Sequence, residues 1–146
     1  MSNKAVYILH LDDDQEWRDN VRLALDGNSY FFAYAKNVSD AKRVYGELAL
    51  AGYPPQLVIL DISMAFEDAN DTGGFRFVEE LRSWGFTDKT AVIVLSGFIT
   101  TQNLLNLFQD YKVEVEAIFD KGNFSEDIEV FQKIVAKCVT KMPLLP

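Results

Sequence analysis

Asp12, Asp13 and Asp14 follow the apolar run AVYILHL, Asp61 closes the run in LVILDI, Ser96 and Gly97 follow AVIVL, and Asp120 and Lys121 follow VEAIF. Brought to one place, three carboxylates (Asp12, Asp13, Asp61), a hydroxyl (Ser96) and an ammonium (Lys121) define a particular chemistry. Like charges held together cost free energy unless something positive sits among them, and hard oxygen ligands with room for water suit magnesium. Once part of that charge is neutralised, a carboxylate acts as a nucleophile toward phosphorus. The hydroxyl and the ammonium then bind the equatorial phosphoryl oxygens.

These residues meet only if the runs before them are strands of one sheet. Five such runs, at residues 5–11, 30–35 (YFFAYA), 57–62, 91–95 and 115–119, alternate with segments of helical period. The apolar stripes are Trp17, Val21, Ala24, Leu25; Ala41, Val44, Leu48, Ala51; Phe77, Val78, Leu81, Trp84 before Gly85; Leu104, Leu107, Phe108, Tyr111; and Ile128, Phe131, Ile134, Val135, Cys138 before Pro143. This alternation predicts an α/β domain, a doubly wound five-stranded parallel sheet with helices on both faces. The third and fourth runs are apolar on both faces, as central parallel strands are. In such a sheet the ligand crevice lies beyond the carboxyl ends of the strands, where the winding reverses. Those ends carry the five polar residues, and Asp14 is placed to cap the helix containing Trp17.

The 146 residues predict one domain, 1–146, with a core over about 5–141, a short tail at 142–146 and no effector domain. Hydrophobic residues make up 49% and charged residues 25%, which excludes a disordered chain. A net charge of -8 with no basic patch argues against nucleic acid and anionic membrane as direct partners. A single cysteine and no signal-like N-terminus point to the cytoplasm. His10, the one histidine, excludes a multi-histidine metal site, and its place in the first strand predicts packing. Cys138 is read as core. Residues 68–79 (DANDTGGFRFVE) nearly match a calcium loop, but a strand and turn precede them where an EF-hand needs a helix.

The motifs ILHLDDD, LVILDIS, VIVLSG and AIFDKG resemble the four strand-end motifs of the response-regulator receiver domain of two-component phosphorelays. The resemblance runs from about Val6 to about Cys138 and implies a flavodoxin-like sheet of order 2-1-3-4-5. It implies that Asp61 accepts a phosphoryl group from a sensor histidine kinase or a histidine phosphotransfer protein. Magnesium, with manganese as a substitute, would be held by Asp13 directly, by Asp12 mainly through water, by Asp61 and by the backbone carbonyl of Ser63. Ser96 and Lys121 would contact the phosphoryl oxygens, and Gly97 meets the demand for a small residue beside them. The domain would be a switch, catalysing only its own phosphorylation and slow dephosphorylation. It would signal to a protein target through the face of the fourth helix, fifth strand and fifth helix, or relay the phosphate onward. Homodimer formation on phosphorylation stays open.

The chain departs from the pattern at several positions. Ala65 stands where a proline is usual, and the loop over 63–74 is longer than in most receivers. The usual switch aromatic falls on Ile118 with Phe119 beside it, and Gly122 replaces the proline after the lysine. Ser63 and Phe98 flank the path of hydrolytic water and are poorly suited to orient it, which predicts slow self-dephosphorylation. Two other readings remain open. A haloacid-dehalogenase-type phosphatase would use Asp12 as nucleophile and Asp14 as acid/base, although Glu16 stands where its threonine belongs. A receiver fold without phosphotransfer would serve as an interaction module.

Overall fold

A computed structural model of the chain describes residues 6–61, 90–97 and 115–141. The elements are β1 (Val6–Leu11), α1 (Gln15–Ala24), β2 (Tyr30–Ala35), α2 (Val38–Leu50), β3 (Leu57–Leu60), β4 (Ala91–Ser96), β5 (Ala117–Asp120), a 3-10 turn (Lys121–Asn123) and α3 (Phe124–Lys141). The expected helical stripes at 77–84 and 104–111, the loop 63–74, and Ser63 and Phe98 lie outside the described residues.

All five strands are parallel, in the order β2-β1-β3-β4-β5. The chain steps outward from β1 to β2, returns across β1 to β3 and continues to β5, so the winding reverses between β1 and β3. The crevice at that reversal is where Asp12 and Asp61 leave their strands.

The pleat sorts the strand residues into two layers. Leu9, Leu11, Ala35, Val58, Leu60, Val92 and Val94 form one core layer with Ala41 and Tyr45 of α2. Ile8, Leu57, Ile59, Ile93, Leu95 and Phe119 form the other with Val21 and Leu25 at α1 and Phe124, Phe131, Val135 and Cys138 of α3. Each large apolar side chain in these layers contributes roughly 1.5–3 kcal/mol. A slip of one residue would exchange the layers, which fixes the register of each strand.

Local chemistry sets the helix ends. Asp14 accepts a hydrogen bond from the Glu16 amide at 2.9 Å, so it caps α1 as expected. Asn37 caps α2 by accepting from the Asp40 amide at 2.8 Å. Gly27, after α1, has φ +90°, a left-handed conformation that glycine adopts without steric penalty.

Three boundaries and one stripe differ from expectation. β3 ends at Leu60 rather than 62, β4 extends to Ser96, and β5 covers Ala117–Asp120 rather than 115–119. In β5 the pairing with β4 decides the limits: Ile93 faces Ala117 and Ser96 faces Asp120. In α2, Ala51 is an exposed C-cap residue, and the stripe instead buries Tyr45, whose hydroxyl donates to Thr90 Oγ1 at 2.9 Å. Thr90 Oγ1 in turn donates to the Pro55 carbonyl at 2.8 Å. No helix among the described residues is long and apolar enough to cross a membrane.

Candidate functional site

The parallel ladder continues one residue past the paired strand ends and thereby places two of the carboxylates. The Asp12 amide donates to the Ala35 carbonyl at 3.0 Å, and the Asp61 amide donates to the Leu11 carbonyl at 3.0 Å. Both side chains are buried, while Asp13, in the turn before α1, is exposed. One carboxylate oxygen from each of Asp12, Asp13 and Asp61 lies within 4.8 Å of the others, a spacing at which a single cation can be shared.

Lys121 enters the cluster from the start of the 3-10 turn. Its Nζ donates to Asp61 Oδ2 at 3.0 Å and forms an ion pair with Asp12 Oδ2 at 2.9 Å. Burial pushes the Asp12 carboxyl up to about 6; the Asp14 amide, which donates to its Oδ1 at 2.9 Å, pulls the other way, and the Asp61 charge adds to the rise. Burial also disfavours the Lys121 ammonium, but Asp12 and Asp61 outweigh it and the net shift is upward. The lysine therefore stays charged. Gly122, in place of proline, is held in its turn by Asp120 Oδ1, which accepts from the Gly122 amide at 2.8 Å, and the described residues contain no cis peptide.

Ser96 ends β4 opposite Asp120, the residue before Lys121; it is 4% exposed, and its Oγ has no hydrogen-bond partner among the described residues. A buried hydroxyl without a partner is costly, and an incoming oxyanion would satisfy it. Asp12 Oδ2 is buried too and is met by the Lys121 ammonium at 2.9 Å. These acceptors and the three-oxygen cluster fit a hard divalent cation. Gly97 faces the Lys121 stem: a Cβ there would make an ordinary van der Waals contact, 3.5 Å from the lysine Cδ, so the stem alone does not require glycine.

The two residues read as candidates for the switch face opposite sides of β5. Ile118 packs on the α2 side, and Phe119, 6% exposed, stacks edge-on against Phe131 at 5.3 Å on the α1 and α3 side.

Three further residues shape the site and were not singled out as functional from sequence. Arg18, 8% exposed, donates through Nη1 to the Asp12 carbonyl at 3.1 Å and through Nη2 to Gln15 Oε1 at 2.8 Å. Its position three before Val21 and seven before Leu25 puts a cation on the apolar stripe of α1, which is the signal that would have found it. His10 is fully buried, as its strand position predicted, with Nε2 3.7 Å from Asp12 Oδ2. Burial, and then the charges of Lys121 and Arg18, push the imidazole down to about 3, so it is neutral. Trp17, on the apolar stripe of α1, also lies with its ring 5.2 Å from Lys121 Nζ.

With this geometry the fold is that of response-regulator receiver domains. No family model matches the chain, and no curated protein matches it significantly. Solved structures do. The phosphorylated cyanobacterial phytochrome response regulator RcpA superposes with a TM-score of 0.73 at 18% identity, covering 98% of this chain and 100% of that one. The Mn(2+)-bound form of response regulator Rcp1 gives 0.68 at 16% identity, over 97% and 99% of the two chains. A response regulator from Thermotoga maritima gives 0.68 at 18% identity, over 94% and 99%.

Proposed function

We propose that this chain is a phosphoacceptor switch of two-component signalling, with Asp61 as the phosphorylated residue. The observation that carries the reading is the Lys121 ammonium between the buried carboxylates of Asp12 and Asp61, with the buried Ser96 hydroxyl, unpartnered among the described residues, at the end of the neighbouring strand β4. This is the constellation an aspartyl phosphate requires: a nucleophilic carboxylate, a fixed cation and a hydroxyl for the transferred oxygens. The likeness to a phosphorylated response regulator supports it.

In this reading a carboxylate oxygen of Asp61 attacks the phosphorus of a phosphohistidine. The new O–P bond forms as the P–N bond breaks, and the departing imidazole keeps the electron pair and takes a proton from solvent. Lys121 pairs with one phosphoryl oxygen and Ser96 donates to another, so charge that builds during transfer meets donors already in place. Asp12, Asp13, Asp61 and the Ser63 carbonyl would hold magnesium, which when bound neutralises charge on the carboxylates and on the phosphoryl group. The phosphate donor is a sensor histidine kinase or a histidine phosphotransfer protein. The phosphorylated state is read by a protein target, as a shift between two conformations.

Incubation with acetyl phosphate and magnesium tests the assignment. Intact-mass measurement should show one phosphoryl group on the wild type and none on Asp61→Asn. Equal incorporation in both would remove Asp61 from the role.

A further inference from the structure

We propose that Trp17 is a positioning residue for phosphoryl transfer, holding the Lys121 ammonium between Asp12 and Asp61 through the face of its indole. This deepens the function proposed for Asp61 and rests on it.

Lys121 reaches the carboxylates on a four-carbon stem with rotors that nothing in its own chemistry fixes. The stem runs past Gly97, where an added Cβ would make an ordinary contact 3.5 Å from Cδ and so does not itself fix the stem. The ammonium lies 5.2 Å from the centre of the Trp17 ring, within cation–π range. Beyond Trp17 runs a groove of about 500 Å³ between α1 and α3, lined by Trp17, Leu23, Phe124, Ile128 and Lys121 itself. Lys121 therefore borders two environments, the carboxylates and the groove, and the indole contacts both the ammonium and the groove. Without the indole the lysine gains a wetter alternative rotamer.

Trp17 is itself held in place. It stacks edge-on against Phe124 at 5.5 Å, Phe124 against Phe131 at 5.0 Å, and Phe131 against Phe119 at 5.3 Å. This row of rings ties the first turn of α1 to β5, the strand that delivers Lys121. A rigid ring against a flexible cation is the arrangement in which the ring supplies the orientation.

Two measurements test the proposal. The rate of phosphorylation by acetyl phosphate with magnesium should fall about 3- to 10-fold in Trp17→Leu, with Trp17→Phe, which keeps a π face, lying between it and the wild type. In protein labelled with 5-fluorotryptophan the two indoles give two ¹⁹F resonances, assigned with Trp17→Phe. The Trp17 resonance should move in Lys121→Gln and return toward its wild-type position in Lys121→Arg. An unchanged rate in a folded Trp17→Leu protein, or a Trp17 resonance indifferent to Lys121→Gln, would overturn the role. The resonance comparison needs neither phosphate nor removal of the indole. It therefore reports whether the indole holds the ammonium even if Trp17→Leu does not fold. It also separates failure of that contact from failure of the function proposed for Asp61, which a wild type that takes no phosphoryl group would sink together with any role of Trp17 in transfer.

Discussion

Lys121 Nζ donates to Asp61 Oδ2 at 3.0 Å across 60 residues of sequence, and the same ammonium lies 2.9 Å from Asp12 Oδ2. Lys121→Met would leave two buried carboxylates facing each other without that cation. Breaking a fully buried pair costs about 3–5 kcal/mol; the lysine keeps some solvent contact, and the expected loss is about 1–3 kcal/mol. Urea unfolding at pH 7 in the presence of a chelator should show the midpoint falling accordingly. An unchanged midpoint would mean that the ammonium contributes nothing to holding the two aspartates.

His10 and Asp12, two residues apart on β1, oppose each other in acid. The Asp12 carboxyl is raised from 3.8 to about 6, so between those values the folded protein holds a proton that the unfolded chain releases, and acidification stabilises the fold. The His10 imidazole is lowered from 6.5 to about 3, so between those values the unfolded chain takes a proton that the folded protein refuses, and acidification destabilises it. At about 1.4 kcal/mol per unit the two effects are roughly 3 and roughly 5 kcal/mol, and they cancel between about pH 4 and 6. Asp12→Asn should uncover the histidine and lose stability on going from pH 6.5 to 4. His10→Leu should uncover the carboxyl and gain stability over the same range. Parallel stability profiles for the wild type and the two variants would contradict this assignment.

The strand ends were legible because each apolar run stops abruptly at a polar residue. Asp12, Asp61, Ser96 and Lys121 stand at the carboxyl edge because a parallel sheet puts every such stop on the same side. Strand limits were less legible: β5 shifts because pairing with β4, not its own apolar run, decides where the ladder starts. Arg18, His10 and Trp17 escaped notice for a different reason. Their roles depend on which groups lie against them: His10 and Trp17 sit on a strand and a stripe where packing alone accounts for their positions, whereas Arg18, a cation on an apolar stripe, signals a buried partner without saying which. Tyr45 escaped likewise, since its hydroxyl finds Thr90 only once α2 lies over the sheet.

Asp13 is exposed whereas Asp12 and Asp61 are buried, which separates cation binding from folding. Asp13→Ala should leave metal-free stability within about 0.5 kcal/mol of the wild type, as a surface substitution does. It should weaken magnesium binding about tenfold or more, since a direct carboxylate contact is lost. Magnesium raises the wild-type melting temperature by mass action, and the same concentration should raise that of Asp13→Ala much less. A variant that responds to magnesium as the wild type does would place the cation elsewhere.

Arg18 fixes the backbone from which Asp12 projects. Its guanidinium serves two acceptors at once, the Asp12 carbonyl at 3.1 Å and Gln15 Oε1 at 2.8 Å, and it lies 5.8 Å from the Tyr34 ring. Arg18→Met keeps the apolar stem but removes both donors, and the Asp12 carbonyl would lose its side-chain partner. The expected loss is about 1–3 kcal/mol. Arg18→Lys should recover little of this, because a single ammonium cannot reproduce the fork that spans both acceptors. Both variants should also bind magnesium more weakly than the wild type, measured by the rise in melting temperature with added metal, since the turn carrying Asp12 and Asp13 is released. If Arg18→Lys matches the wild type in both measurements, the contact at Asp12 is one of charge alone and the fork has no part in it.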